Sequence, residues 1–74
     1  MKTYVEVYVS ADGEKASVIT EKLLGMGLQS TIGEHDFVYN WKKTVGISEV
    51  LNFVDRVQSK LKGTGAILNF MTLR

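Results

Sequence analysis

The sequence predicts an α+β domain in which two helices lie on one face of a four-stranded antiparallel sheet. Three observations lead to this prediction. The chain has 74 residues, which suits a single small core; its first segment alternates apolar and polar side chains; and two later segments carry apolar stripes with helical spacing. We therefore expect one domain over residues 1–74, with the elements in the order strand, helix, two short strands, helix and strand.

The first strand is indicated by side chains that alternate in polarity. One set is Thr3, Val5, Val7 and Val9, and the other is Tyr4, Glu6, Tyr8 and Ser10. A period of two residues is typical of a strand with one buried face. We expect the valines to face the helices and the second set to face away from them.

The first helix is predicted from an apolar stripe with spacings of three and four residues. The stripe consists of Ala16, Ile19, Leu23 and Met26. Such spacing places these side chains on one side of a helix. Asp12 in the preceding turn is the predicted N-cap, and Gly27 is expected to end the helix in a left-handed conformation.

The segment between the two helices is short and predicts a tight hairpin. We place its strands at residues 29–33 and 37–42, with Glu34, His35 and Asp36 in the turn. One long strand over residues 29–42 would instead give a three-stranded βαβαβ layer. This alternative stays open at the level of the sequence.

The second helix carries the widest apolar stripe of the chain. Its members are Ile47, Val50, Leu51, Val54, Val57 and Leu61. Gly46 or Ser48 is the expected cap, Gly63 the expected end, and residues 66–73 the last strand. The complete order, βαββαβ, predicts the split βαβ or ferredoxin-like arrangement.

The lack of cysteine and the single histidine limit the chemistry available to the chain. Without cysteine there is no disulfide, no thiolate zinc site and no thiol nucleophile, and His35 alone cannot build a multi-histidine metal site. Glu34, His35 and Asp36 are neighbours on an extended chain, so their side chains point to opposite sides and cannot converge on one ion. We therefore predict no metal site, no cofactor and no catalytic constellation, and we expect a protein that is not an enzyme.

The length of the chain indicates whether it needs a partner, and its first six residues indicate where in the cell it is expected. Ordering a chain of this length costs on the order of 100 kcal/mol of conformational entropy, and small domains often need a staple or a partner to offset it. Because disulfide and thiolate-metal staples are excluded, we expect self-association, most simply a homodimer. Residues 1–6 carry charges where a signal peptide needs an apolar run, and no run in the sequence has the length of a membrane span. We expect a cytoplasmic protein without membrane contact.

The side of the sheet away from the helices, here called the open face, is the surface that remains for binding. The strand at residues 37–42 buries one of two sets: Phe37, Tyr39 and Trp41, or Asp36, Val38, Asn40 and Lys42. Burying the polar set would leave unsatisfied groups at a cost of a few kcal/mol, so we favour the aromatic side chains inside. The opposite orientation would join them with Tyr4 and Tyr8 in one exposed aromatic field.

With the aromatic side chains outside, two short segments resemble the motifs of RNA-recognition modules. Residues 7–10 are similar to the first-strand motif and residues 37–39 to the third-strand motif, about seven residues in total. The resemblance implies a single-stranded RNA binder in which Tyr8, Phe37 and Tyr39 stack on bases while Lys42 and Lys43 contact phosphates. Acidic and polar residues at 34–36 replace the basic residue and glycine of the third-strand motif. The net charge of +1 also supports only a local basic patch.

The leading hypothesis is a non-enzymatic module, similar in architecture to small regulatory ferredoxin-like domains that pair through sheets or edge strands and bind small molecules between subunits. It follows from the small core, the missing catalytic groups and the half-apolar open face. The residues expected at the subunit contact or ligand surface are Tyr4, Glu6, Tyr8, Asn40, Asn69 and Met71. Glu6 and Asn69 are expected to supply directional hydrogen bonds. RNA binding is one alternative, and an accessory subunit that completes a larger assembly through an edge strand is another.

Overall fold

The computed structural model describes residues 1–33 and 35–74. Six elements follow one another along the chain: β1 (Lys2–Tyr8), α1 (Ala16–Gly25), β2 (Gln29–Ser30), β3 (Phe37–Asn40), α2 (Ile47–Leu61) and β4 (Ile67–Leu73). The strands form one four-stranded sheet in the order β2-β3-β1-β4, and each neighbouring pair is antiparallel. The predicted α+β architecture is confirmed.

The hairpin between the helices is shorter than the sequence indicates. The three-stranded alternative is wrong, because β2 and β3 are separate strands that pair with each other. β3 ends at Asn40 because the Asn40 side chain accepts a hydrogen bond from the Lys42 backbone N–H at 2.9 Å and Lys42 has a φ of 64°. Of the predicted turn, Glu34 lies outside the described residues.

β1 lies in the middle of the sheet, paired with β3 on one side and β4 on the other. Thr3 and Val5 are completely buried on its helix-facing side, as the alternating pattern predicts. Val9, which the same pattern places with the buried set, is 53 % exposed. The strand has already ended at Tyr8, so Val9 has left the sheet.

A single hydrophobic core joins both helices to the sheet. Its buried members are Val5, Ile19, Leu23, Leu28, Phe37, Phe53, Val57 and Leu61. Phe53 was absent from the predicted stripe of α2, and Ile47 and Leu51, which belonged to it, are 64 % and 54 % exposed. The Phe53 ring stacks on Tyr39 with centroids 4.4 Å apart. Burying this large ring turns α2 so that Ile47 and Leu51 point outward.

The aromatic side chains around β3 face the helices, which confirms the favoured orientation. Phe37 is buried, Tyr39 stacks on Phe53, and Trp41 meets the same ring edge-on at 5.4 Å. The Trp41 indole N–H donates to Thr3 Oγ1 at 2.8 Å, so its polar group has a partner inside the sheet layer.

The ends of α1 agree with the prediction at one terminus only. Asp12 is not the N-cap: the helix begins at Ala16 after Lys15, and no side chain caps it. The loop before α1 is instead held by a hydrogen bond to the loop before β4, in which the Glu14 backbone N–H donates to the Thr64 carbonyl oxygen at 2.9 Å. Gly27 ends the helix with a φ of 92°, as predicted.

Neither helix in the described part of the chain combines the length and apolar character needed to cross a membrane.

Candidate functional site

The open face of the sheet is formed by alternate residues of three strands. The strand register places Tyr4, Glu6 and Tyr8 of β1 directly opposite Met71, Asn69 and Ile67 of β4. On the other side of β1, Tyr4 is opposite Val38 of β3. Because opposite residues of antiparallel strands point to the same side, these side chains form one continuous surface.

The polar centre of this surface is Glu6 together with His35. The Nδ1 atom of His35 lies 3.8 Å from Oε2 of Glu6, and their side chains are 21 % and 36 % exposed. This distance is too long for a direct hydrogen bond, so the pair is an electrostatic contact when the imidazole is protonated. The imidazole ring also packs on Tyr4, with centroids 4.8 Å apart and the planes tilted by 35°.

Asp36 positions the histidine by extending the contact between β3 and β1 to the residue before β3 begins. Its backbone N–H donates to the Val5 carbonyl oxygen at 3.1 Å, and its Oδ2 accepts from the Val7 backbone N–H at 2.8 Å. These two bonds hold residue 36 beside the middle of β1. The preceding residue, His35, is therefore held over the open face rather than out in solvent.

All six predicted ligand or interface residues occupy open-face positions, and five of them lie on β1 and β4: Tyr4, Glu6, Tyr8, Asn69 and Met71. Glu6 and Asn69 are directly opposite each other, so a carboxylate and an amide share the centre of the surface. Asn40 is the sixth residue, and its register partner is Lys2 at the far end of the strand. Its side-chain oxygen accepts a hydrogen bond from the Lys42 backbone N–H, so the Asn40 side chain stabilises the turn after β3.

The residues of the RNA hypothesis do not share one surface. Tyr8 is exposed on the open face, whereas Phe37 and Tyr39 face the helices on the other side of the sheet. Bases cannot stack on the buried Phe37 ring or on the Tyr39 ring, which is stacked on Phe53. Lys42 and Lys43 are exposed in the loop after β3, near the end of the sheet opposite to Tyr8.

The open face combines polar and apolar groups. It offers a carboxylate, an imidazole and an amide, bordered by two tyrosine rings and by the apolar side chains of Val38, Ile67 and Met71. No group of three His, Cys, Asp or Glu residues that could hold a metal ion is found in residues 1–33 and 35–74. The groups present can orient a small molecule by hydrogen bonds and charge while its apolar part contacts the rings.

Comparison with known proteins finds no significant match for this chain among protein-family models, curated proteins or solved structures. The candidate site is therefore defined by the geometry of the chain itself.

His35 is the residue of this site that sequence reasoning missed. The sequence predicts a hairpin turn at residues 34–36 because the segment between the two helices is short, and a lone histidine cannot build a multi-histidine metal site. The signal that would have found it is the register of β1 and β3. With Phe37 opposite Val5, the residues before Phe37 must pass beside Glu6 and Val7.

Proposed function

We propose that this chain is a non-enzymatic binding module of ferredoxin-like topology, which takes a small molecule on the open face and works as a homo-oligomer. The element order βαββαβ and the strand order β2-β3-β1-β4 support the topology. The non-enzymatic assignment is supported by the neighbours of His35. Its ring packs on Tyr4 and its Nδ1 faces Glu6, and neither contact presents an activated hydroxyl or thiol nucleophile.

The observation that carries the proposal is the cluster of Tyr4, Glu6 and His35. Glu6 offers a partly exposed carboxylate, and the Tyr4 ring lies beside the same histidine. A ligand bound there can pair a charged group with the carboxylate while its apolar part contacts the ring. Asn69, directly opposite Glu6, adds an amide that can both donate and accept.

The ligand class that fits this cluster is a small molecule with an aromatic ring and one charged group. A cationic group is attracted to the Glu6 carboxylate, and its ring can lie against Tyr4 and Tyr8, which are on the same face of β1. An anionic group would instead require protonated His35 as its partner. The two cases differ in the sign of the ligand charge and can be separated by experiment.

The test is a titration of the isotopically labelled protein, followed by backbone amide NMR shifts. The probes are tryptamine and indole-3-acetate, which carry similar rings and opposite charges. We expect tryptamine to shift the amides of Glu6, Asn69 and their neighbours. Glu6→Gln is expected to weaken tryptamine binding about tenfold, which corresponds to the loss of one charged hydrogen bond.

Glu49→Gln is the matched control, because Glu49 is an exposed glutamate in the first turn of α2. The control is expected to bind tryptamine like the unmodified protein. Binding of indole-3-acetate alone would assign the charged contact to His35 and retain the open face as the site. The proposal fails if neither probe shifts open-face amides, or if Glu49→Gln weakens binding as much as Glu6→Gln.

A further inference from the structure

Helix α2 and strand β4 border an apolar groove at one edge of the sheet. The groove has a volume of about 400 Å³, and its lining includes Ile47, Leu51, Val54, Phe70, Thr72 and Arg74. In the strand order β2-β3-β1-β4, β4 is paired with β1 on one side and is the last strand on the other. The groove and an unpaired strand edge therefore lie side by side.

The β4 edge lacks the features that usually prevent strands from pairing with another chain. It runs for seven residues, Ile67–Leu73, with no charged side chain, and the chain contains no proline. Natural edge strands are commonly shortened, charged or interrupted, because their free N–H and C=O groups are templates for pairing. The opposite edge, β2, has only two residues. β4 is thus the edge that is suited to accept another strand.

Exposed apolar side chains lie on both sides of this edge. Ile47 and Leu51 are on the helix side, while Ile67, Met71 and Leu73 are on the open-face side, and each is between 46 % and 65 % exposed. At roughly 180 Å² for each whole residue, these five expose on the order of 500 Å² per copy, against about 800 Å² per partner in a standard interface. The strand backbone and the other groove residues, which include Val54, Phe70 and Arg74, add to this area.

We propose that β4 pairs antiparallel with β4 of a second copy of this chain, around a two-fold axis near Phe70, and that the two α2 grooves close over the paired strands. This inference rests on the self-association in the proposed function and assigns its location. With the axis at Phe70, the whole of β4 is paired. Ile67 then lies opposite Leu73 of the second copy, and Asn69 lies opposite Met71 of the second copy.

A second copy fits because this surface is self-complementary. In a two-fold contact each side chain meets side chains of the same patch, so a patch with charges of one sign would repel its copy. β4 is uncharged from Ile67 to Leu73, and the exposed positions Ile47 and Leu51 of α2 are apolar. Pairing therefore brings Ile67 onto Leu73 of the second copy and satisfies the free backbone groups of both edges, while Arg74 of the groove lies at the end of the contact, away from the axis.

The test measures mass by light scattering over a concentration series for the unmodified protein and three variants. Leu51→Lys places a charge in the proposed contact. Leu24→Lys is the matched control, because Leu24 is an exposed leucine on α1 with 47 % exposure. Val38→Lys places a charge on the open face of β3, away from β4. Circular dichroism of each variant verifies that the secondary structure is retained.

We expect a dimer for the unmodified protein, Leu24→Lys and Val38→Lys. Leu51→Lys is expected to raise the dimer dissociation constant about 100-fold or more, because the substitution occurs twice in each dimer. In hydrogen exchange of the unmodified protein, alternate β4 amides are expected to gain protection as the concentration rises. This second measurement does not depend on any variant.

Two outcomes overturn the inference, and they are distinguishable. A dimer that Val38→Lys dissociates and Leu51→Lys does not would assign self-association to the open faces, which removes the β4 contact and leaves the oligomer in place. A monomer at high micromolar concentration, with β4 exchange independent of concentration, would remove both the contact and the self-association. Ligand binding on the open face is measured separately, by the NMR titration described above.

Discussion

Replacing Thr3 with valine tests a buried hydrogen-bond chain that links three strands. Thr3 lies on β1 and is fully buried. Its Oγ1 accepts from the indole N–H of Trp41, the residue after β3, and lies 2.8 Å from Oγ1 of Thr72 on β4. Valine has nearly the shape of threonine and no hydroxyl. The substitution therefore removes the acceptor of Trp41 and the partner of Thr72 with little change in packing.

The cost is dominated by the indole N–H of Trp41. A donor that is shielded from water and loses its partner costs about 1–3 kcal/mol; the Trp41–Thr3 bond is part-buried, and the partly exposed Thr72 hydroxyl can turn toward water. We expect Thr3→Val to lower the free energy of unfolding by about 2 kcal/mol. For a domain of this size, such a loss lowers Tm by roughly 8–16 °C.

The assay is urea unfolding followed by circular dichroism, with Thr44→Val as the control at an exposed threonine. The control is expected to change stability by less than about 0.5 kcal/mol. Trp41→Phe completes a double-mutant cycle, since the phenyl ring has no N–H to leave unpaired. The double variant should cost about 1 kcal/mol less than the sum of the single variants. A Thr3→Val protein as stable as Thr44→Val, with additive energies in the cycle, would refute the reasoning.

Three further predictions concern two glycines and the RNA hypothesis. Gly13→Ala should lower the free energy of unfolding by about 1–3 kcal/mol, because a Cβ at residue 13 would stand 2.4 Å from the Thr64 carbonyl oxygen. Gly25→Ala should instead raise the free energy of unfolding by about 0.5–1 kcal/mol, because Gly25 is helical and has open space around it. Thermal unfolding of the two variants shows whether each substitution lowers or raises stability. Mixed single-stranded RNA at low salt should leave the emission of Trp41 unchanged, because its indole N–H is bonded within the fold and Tyr39 is packed on Phe53. A saturable change in that emission would contradict the last prediction.

The elements with regular polarity patterns were predictable, and their ends were less so. The alternation in β1 and the stripe in α1 depend only on the period of the backbone, which the sequence displays directly. The start of α1 depends on a contact between loops, in which Glu14 meets Thr64 fifty residues later in the chain. Local capping preferences favour Asp12 and carry no information about that contact.

The position of His35 could not be predicted because it depends on strand register. Shifting the pairing of β1 and β3 by one residue would turn every side chain of β3 to the opposite face. The observed register, with Phe37 opposite Val5, is selected by burial of Phe37 and Tyr39 beside Phe53. The packing of the aromatic core thus determines which residues accompany Glu6 on the open face.

The predicted apolar stripe of α2 was wrong, and the error bears on which residues border the β4 edge of the sheet. Its apolar positions divide into two sets: Val50, Phe53, Val57 and Leu61 are buried, while Ile47 and Leu51 point outward beside β4. Each set has helical spacing, so the sequence alone shows one stripe that is wider than a single core contact requires. Since the domain's own core uses the first set, Ile47 and Leu51 leave more than half of their surface exposed in one copy. Pairing at β4 would give these side chains a contact, and this is why the excess width of the stripe favours the edge over the open face as the place where two copies meet.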